Sequence, residues 1–402
     1  ADGENVLWTL DSSGTLTISG SGAMADYSSS SPPWYSYRGR ILQVIIEGGV
    51  TTLGERAFGS RNDHLGNAEY FDNLRVVTIA DSVTSIGDNA FRECHSLISI
   101  DIGDSITRIG EYAFYGCSLL QEIDLPETLR SIDRYAFHYC SSLREIVMHD
   151  NVTSIGQGVF QGCYTLENAV LSNGLTNISS DVFRGCNELE TVTLPEFITS
   201  IPSYTFNGCS SLTAIDIPYT VTSVGTHAFS GCSSLQDISL GPWVTSMGDY
   251  AFQSCSSLTE ITIPDHMQTI SRYAFDGCTS LQKIVLGYDV RTIESYAFSN
   301  ASSVTEVYLP ELLTEIEDDA FYNASGIENV YFSGTEKDWL GISIGDNCSY
   351  LTNAEVNYDH SYSVDEPSPP AYDDGTVIAS GDCGSDGSNV QWSLNNHGVL
   401  KI

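Results

Sequence analysis

Basic residues are scarce in this chain of 402 residues: 16 Lys and Arg stand against 52 Asp and Glu, for a formal net charge of −36. Such a field repels phosphate backbones and anionic headgroups, so nucleic acid is excluded as a natural partner and cationic surfaces are favoured. Long apolar runs are missing too. None approaches the roughly 18 to 20 residues of a membrane-spanning helix, so no membrane insertion is expected. No charged-then-apolar leader opens the chain at Ala1-Asp2-Gly3, which fits a processed start. Signatures of common chemistries are also absent: there is no His-Glu-x-x-His, no Gly-x-Ser-x-Gly, no Gly-rich phosphate loop and no EF-hand spacing. The histidines are scattered, without paired spacing. A non-enzymatic chain with no cofactor and no resident metal is the expectation.

What the chain has is repetition. A Phe recurs at Phe58, Phe91, Phe114, Phe137, Phe160, Phe183, Phe206, Phe229, Phe252, Phe275, Phe298 and Phe321, spaced by 23 residues from Phe91 onward. A fixed period of this size marks a solenoid whose units touch only their neighbours. Counting back from Phe275, apolar residues stand at Leu258, Ile261, Ile263, Met267, Ile270 and Ala274. The step of two between Ile261 and Ile263 is strand periodicity, and Thr269-Ile270 reads as a second short strand. Stacked in register about 4.8 Å apart, twelve such coils run on the order of 50 to 60 Å.

The segment Ala-Phe-x-Gly-Cys closes each coil and reads as a short helical turn. Gly stands two after the Phe at Gly116, Gly162, Gly185, Gly208, Gly231 and Gly277, and Asn replaces it at Asn300 and Asn323. That exchange points to a left-handed backbone, with Glu93, Tyr139 and Ser254 breaking the rule. Nine of the 11 cysteines lie three after the Phe, from Cys94 to Cys278, and Ala301 and Ala324 take the same place later. Interchange with Ala indicates a small buried site, and parallel Cβ vectors about 4.8 Å apart suit a disulfide poorly, so a ladder of free thiols is expected. Cys348 and Cys383 lie outside it, and spacing leaves their pairing open.

The flanks differ from the repeats. Residues 1–40 alternate Val6, Trp8, Leu10 and then Leu16, Ile18 around Ser13-Gly14, the pattern of a β-hairpin cap. Ten extra residues between Phe58 and Leu74 read as a surface loop. Residues 41–332 carry the twelve repeats, 333–358 a C-terminal cap with Trp339, and 359–375 an acidic Pro-containing linker. Residues 376–402 hold a partial second copy of the opening module: Asn389, Trp392 and Gly398 match Asn5, Trp8 and Gly14. The second copy stops where the first continues, so a longer natural chain is expected, with self-association through the 388–402 hairpin as a further expectation.

The motif Leu-x-x-Ile-x-Ile/Leu-Pro, then Thr-x-Ile-Gly, then Ala-Phe-x-Gly-Cys-x-Ser-Leu resembles the BspA-type leucine-rich repeat of bacterial and protist surface proteins. Pro126, Pro195, Pro218, Pro264 and Pro310 match it, and the resemblance covers residues 41–332. It implies a repeat solenoid of leucine-rich-repeat coils, parallel strands plus short helical turns, with β-rich caps at both ends. It also implies an extracellular or cell-surface location, and binding of a protein or glycan ligand by the sheet face. No Asn ladder is present, so the turn must satisfy its backbone in another way.

Two columns on the longer strand face outward by alternation. They form a candidate binding face from Asp101, Glu122, Asp124, Glu145, Asp216, Asp237, Glu260 and Glu306, with Tyr308 and Tyr331 at its C-terminal end. The carboxylates stand on an expected flat sheet without a cleft, which favours binding over acid–base catalysis. A further column two before the Phe carries Tyr112, Tyr135, Tyr204, Tyr250, Tyr273 and Tyr296, more simply read as cover for the turn than as a ligand platform. The favoured function is an adhesin-like scaffold. A spacer projecting a further module is the alternative, and a carbohydrate-active enzyme the remote one.

Overall fold

A computed structural model describes residues 5–62 and 68–362, together with the strands Val377–Asp382, Gln391–Asn395 and Leu400–Lys401. The chain divides into two compact units, 1–364 and 365–402.

The first unit is a stack of parallel-stranded coils. Strands at Glu145–Val147, Asn168–Val170 and Thr191–Thr193 pair in parallel with a register of 23 residues, Ile146 opposite Ala169 opposite Val192. A second ladder runs through short strands such as Arg108–Ile109, Ser131–Ile132 and Ser154–Ile155. Both ladders have gaps. The longer-strand ladder lacks the coils at 122–124, 214–216 and 237–239, where the short-strand ladder continues, and the short-strand ladder lacks 177–178, where the longer one continues.

The turn after each short strand supplies a third ladder, and this one has no gap. At all eleven junctions from Phe58 to Phe298 the Phe N–H donates to the carbonyl just before the next Phe, at 2.7 to 3.0 Å. In the coil of Phe206, Tyr204 donates to Thr226 at 3.0 Å and Gly208 to Ser230 at 2.8 Å. The alternate residues bond inside the coil, Asn207 to Tyr204 and Cys209 to Phe206. Every second N–H thus crosses to the next coil, which solves the backbone problem that an Asn ladder would otherwise solve.

This geometry corrects two expectations. The turn is not helical, because left-handed residues interrupt it twice per coil from Phe91 onward and once at Phe58. Position +2 from the Phe is left-handed with Gly, as at Gly162 (φ 71), with Asn, as at Asn300 (φ 58), and also at Glu93, Tyr139 and Ser254 (φ 59, 60 and 60). Position −2 is left-handed in all twelve coils, including Tyr112, Tyr135, Tyr204, Tyr250, Tyr273 and Tyr296. A bulky side chain at positive φ is unfavourable, and the ladder of inter-coil bonds holds it there.

The core is a column of Phe rings. Neighbours stack at centroid separations of 5.0 to 5.7 Å from Phe58 to Phe321. Trp34 ends the column at the N-terminal side, stacked on Phe58 at 5.7 Å with its indole N–H donating to the Ala57 carbonyl. The cysteines form a parallel column, all buried and free from Cys94 to Cys278. Each thiol donates to the carbonyl of the Phe one coil earlier, as Cys163 does to Phe137 at 3.2 Å. Phe71, from the segment inserted after the first repeat, is buried one 23-residue period before Cys94 and packs edge-on to Phe58. That segment is therefore tied to the core; its residues 63–67 lie outside the described residues.

The hairpin Val6–Leu10 with Thr15–Gly20 begins the array, and its second strand pairs in parallel with Gln43–Ile46. At the other end Cys348 and Leu351 are buried. In the second unit Leu394 pairs with Leu400 and Ser393 with Lys401, the same register as Leu10 with Leu16 and Thr9 with Thr17. Cys383 lies outside the described residues.

Candidate binding faces

The longer-strand face carries the acidic column. Asp101, Glu122, Asp124, Glu145, Asp216, Asp237 and Glu260 are exposed, and none takes part in an ion pair among the described residues. Asp101, Glu145, Glu260 and Glu306 stand on strands, whereas Glu122, Asp124, Asp216 and Asp237 stand in the coils where this ladder lapses. The face is not flat throughout. At the first lapse a recess of about 370 Å³ opens, lined by Asp101, Asp104, Asp124 and Glu127, with His149 at its margin.

The aromatic end of this face is covered. Tyr308 and Tyr331 stack at 4.5 Å, but His360 packs on Tyr331 at 4.7 Å and Tyr362 meets Tyr308 edge-on at 5.5 Å. Tyr362 also stacks on Tyr288 at 5.7 Å and donates its hydroxyl to the Leu286 carbonyl at 2.8 Å. Val285, in the outward column of the strand Lys283–Val285, is buried as well. The first residues assigned to a linker therefore form a strap: Asp359 and His360 donate backbone N–H groups to Gly334 and Phe332. Residues 363–375 lie outside the described residues. Beneath the strap Tyr308 donates to Glu306 at 3.2 Å, and burial with that carboxylate alongside pushes its phenol up to about 12.

A third surface follows the turns. Tyr204, His227, Tyr250, Tyr273 and Tyr296 stack face to face at 4.9, 4.5, 4.7 and 4.7 Å. His227 belongs to this column although the Tyr spacing alone does not include it, and burial lowers its pKa. Each ring covers the next, which supports the plainer reading for this part of the column.

Against known proteins, the family model for the BspA type leucine-rich repeat region (6 copies) matches residues 67–189, 155–281 and 242–352. The chain belongs to the BspA-type leucine-rich-repeat family. A leucine-rich repeat protein from Bacteroides ovatus is similar in structure, 24% identical, with a TM-score of 0.63 over 88% of this chain and 98% of that one. One from Eubacterium ventriosum is 27% identical, with a TM-score of 0.54 over 93% and 96%. The pneumococcal vaccine antigen PcpA, 16% identical, has a TM-score of 0.52 over 90% and 98%. No curated protein matches the chain in sequence.

The positions that recur in every coil of this BspA-type array serve packing. Burial pushes the thiols of Cys94 to Cys278 far above their ordinary range, which leaves them protonated and poor nucleophiles. No cluster of three metal-ligating side chains occurs among the described residues, and no helix there is long and apolar enough to cross a membrane. What varies from coil to coil is the outward columns, and these are where chemistry can differ.

Proposed function

We propose that this protein is a non-enzymatic, extracellular or cell-surface binding scaffold, adhesin-like, whose acidic sheet face engages a basic patch on a host or neighbouring-cell protein. The observation that carries the reading is the recess at Asp101, Asp104, Asp124 and Glu127. Four carboxylates with no ion-pair partner among the described residues line a hollow able to admit a Lys or Arg side chain, flanked by the exposed Glu122 and Glu145. Membership of a repeat family whose solenoids present regular faces supports binding as the role. The covered aromatic end confines this face to the coils before Val285.

The test is a binding screen of the purified chain against extracellular-matrix proteins and mucin at low and moderate salt. Attraction between exposed charges weakens with salt, so binding should fall as salt rises and be lost in the triple variant Glu122→Gln, Asp124→Asn, Glu145→Gln. Binding unaffected by that variant would remove the acidic face from consideration. A spacer role is the second reading, favoured by the hairpin at residues 391–401 that repeats the register of the opening one. Self-association through that hairpin predicts that deleting residues 376–402 lowers the mass measured by light scattering.

A further inference from the structure

The aromatic column two before the Phe is broken in two consecutive coils, where Gly158 and Asp181 replace the ring. On one side of the break Tyr112 and Tyr135 stack at 5.2 Å, and on the other the column resumes at Tyr204. Between them lies a groove of about 630 Å³, within the range of small-molecule sites. Tyr135 leans into the break, since a Cβ on Gly158 would stand 2.4 Å from its Cε1. No aromatic ring follows it in the next coil, so one ring face borders the groove.

The polar groups around this platform are arranged in planar pairs. Asp181 is 7% exposed, accepts from the Gln157 amide at 3.0 Å and pairs with Arg184 at 3.2 Å. Gln161 lies beside Gln157 on the groove wall. Both ring nitrogens of His138 are shielded from solvent, yet neither has a hydrogen-bond partner among the described residues. Its ring is instead held among Tyr115, Tyr135 and Tyr139. A half-buried imidazole with both nitrogens shielded and unsatisfied is rare in folded proteins, and this one lines the groove.

The geometry points to a saccharide site: we infer that the groove binds a neutral pyranose, alone or as the end of a glycan. A sugar ring offers an apolar C–H face to Tyr135 and hydroxyls that both donate and accept. Those hydroxyls match the amides of Gln157 and Gln161 and the carboxylate of Asp181. An anionic sugar or a phosphate is disfavoured because neither cation is free. Arg184 is engaged by Asp181 and lies over Tyr204, and Arg92 pairs with Glu93 and lies over Tyr112 and Tyr115.

The experiment is saturation-transfer NMR and calorimetry on the whole chain. The probes are methyl glycosides of glucose, galactose, mannose and N-acetylglucosamine, and their 1,4-linked disaccharides. The expected result is binding of at least one probe at millimolar or lower concentration, insensitive to salt, with the His138 ring resonances shifting on addition. The Gln157→Ala, Gln161→Ala double variant, whose side chains lie outside the packed core, should fold as wild type and bind about tenfold or more weakly. Asp181→Asn, which keeps the shape and tolerates the left-handed backbone, should weaken the same probe. Absence of binding across the panel overturns the inference, and so does binding that both variants leave unchanged. Salt insensitivity separates this site from the acidic sheet face, so either can fail alone.

Discussion

Replacing Phe206 by Ala tests the packing on which every other statement rests. The ring is fully buried and stacked between Phe183 at 5.7 Å and Phe229 at 5.3 Å. A buried Phe removes about 150 Å² or more from water, and at about 25 cal/mol per Å² its loss costs close to 4 kcal/mol. Partial collapse of the neighbours lowers that value and the residual cavity raises it, so the expected destabilisation is about 3 to 5 kcal/mol. The backbone bonds are unaffected, since Phe206 donates to Ala228 through its main chain. In a stack whose stability sums over neighbouring coils, the loss should also uncouple the halves on either side. Urea unfolding followed by circular dichroism should show an earlier midpoint and a broadened or two-step transition. A single transition at the wild-type midpoint would refute both the ring column and the nearest-neighbour energetics.

Other outcomes follow from the same geometry. The nine ladder thiols should resist a thiol reagent in the native protein and react once it is denatured, since each is buried and donates to a Phe carbonyl; rapid native labelling would contradict the ladder. Gly162→Ala should cost more than Gly208→Ala in thermal unfolding. Both are left-handed (φ 71 and 78), at about 1 to 2 kcal/mol each, but only at Gly162 would the Cβ meet an aromatic ring, 2.5 Å from Tyr139 Cδ1. Tyr362→Ala should lose about 1 to 2 kcal/mol locally, by removing ring contacts and the hydrogen bond to the Leu286 carbonyl, and should speed hydrogen exchange at the strap amides of Asp359 and His360.

His138 has its pKa lowered to about 4, because burial disfavours the imidazolium more than the Asp181 charge favours it. The unfolded chain therefore binds that proton first. Its contribution to stability is fully present above pH ~6.5 and is lost as the pH falls toward ~4, by about 1 to 2 kcal/mol after allowance for partial exposure. Urea melts should show a smaller loss over this range in His138→Phe than in wild type, the part due to His227 remaining.

The period of the Phe residues was enough to read the coil, its two strands and the buried columns, because packing of a repeated unit leaves the same mark 23 residues apart. The thiol ladder was legible for the same reason: Cys94 to Cys278 exchange with Ala301 and Ala324 only where a small buried group fits. The left-handed residues two before the Phe were hidden. Tyr, His, Asn, Asp, Arg and Gly all occupy that place, so composition gives no hint, and the constraint comes from inter-coil hydrogen bonds that no side chain reports. The strap was hidden as well. His360 and Tyr362 sit in a segment whose Pro and acid content reads as solvated, and only their approach to Tyr331 and Tyr308 shows that they cover the face.

Both candidate sites occur where a column breaks, and there is a physical reason. In an unbroken column each side chain is covered by its neighbour one coil away, as Tyr250 is by Tyr273 at 4.7 Å, so the ladder satisfies itself and offers a partner little. A missing strand pairing at 122–124 leaves the recess of Asp101, Asp104, Asp124 and Glu127. A missing ring at Gly158 leaves Tyr135 bordering the groove with His138 unsatisfied beside it. If breaks carry the function, then filling one should abolish one binding event and spare the other. Gly158→Tyr places at this backbone position a residue that it accepts in six other coils, and the added Cβ, 2.4 Å from Tyr135 Cε1, forces that ring out of the break and back into line; the variant should eliminate saccharide binding while salt-sensitive protein binding persists. Loss of both together would mean that the coils communicate and that the breaks are not independent sites.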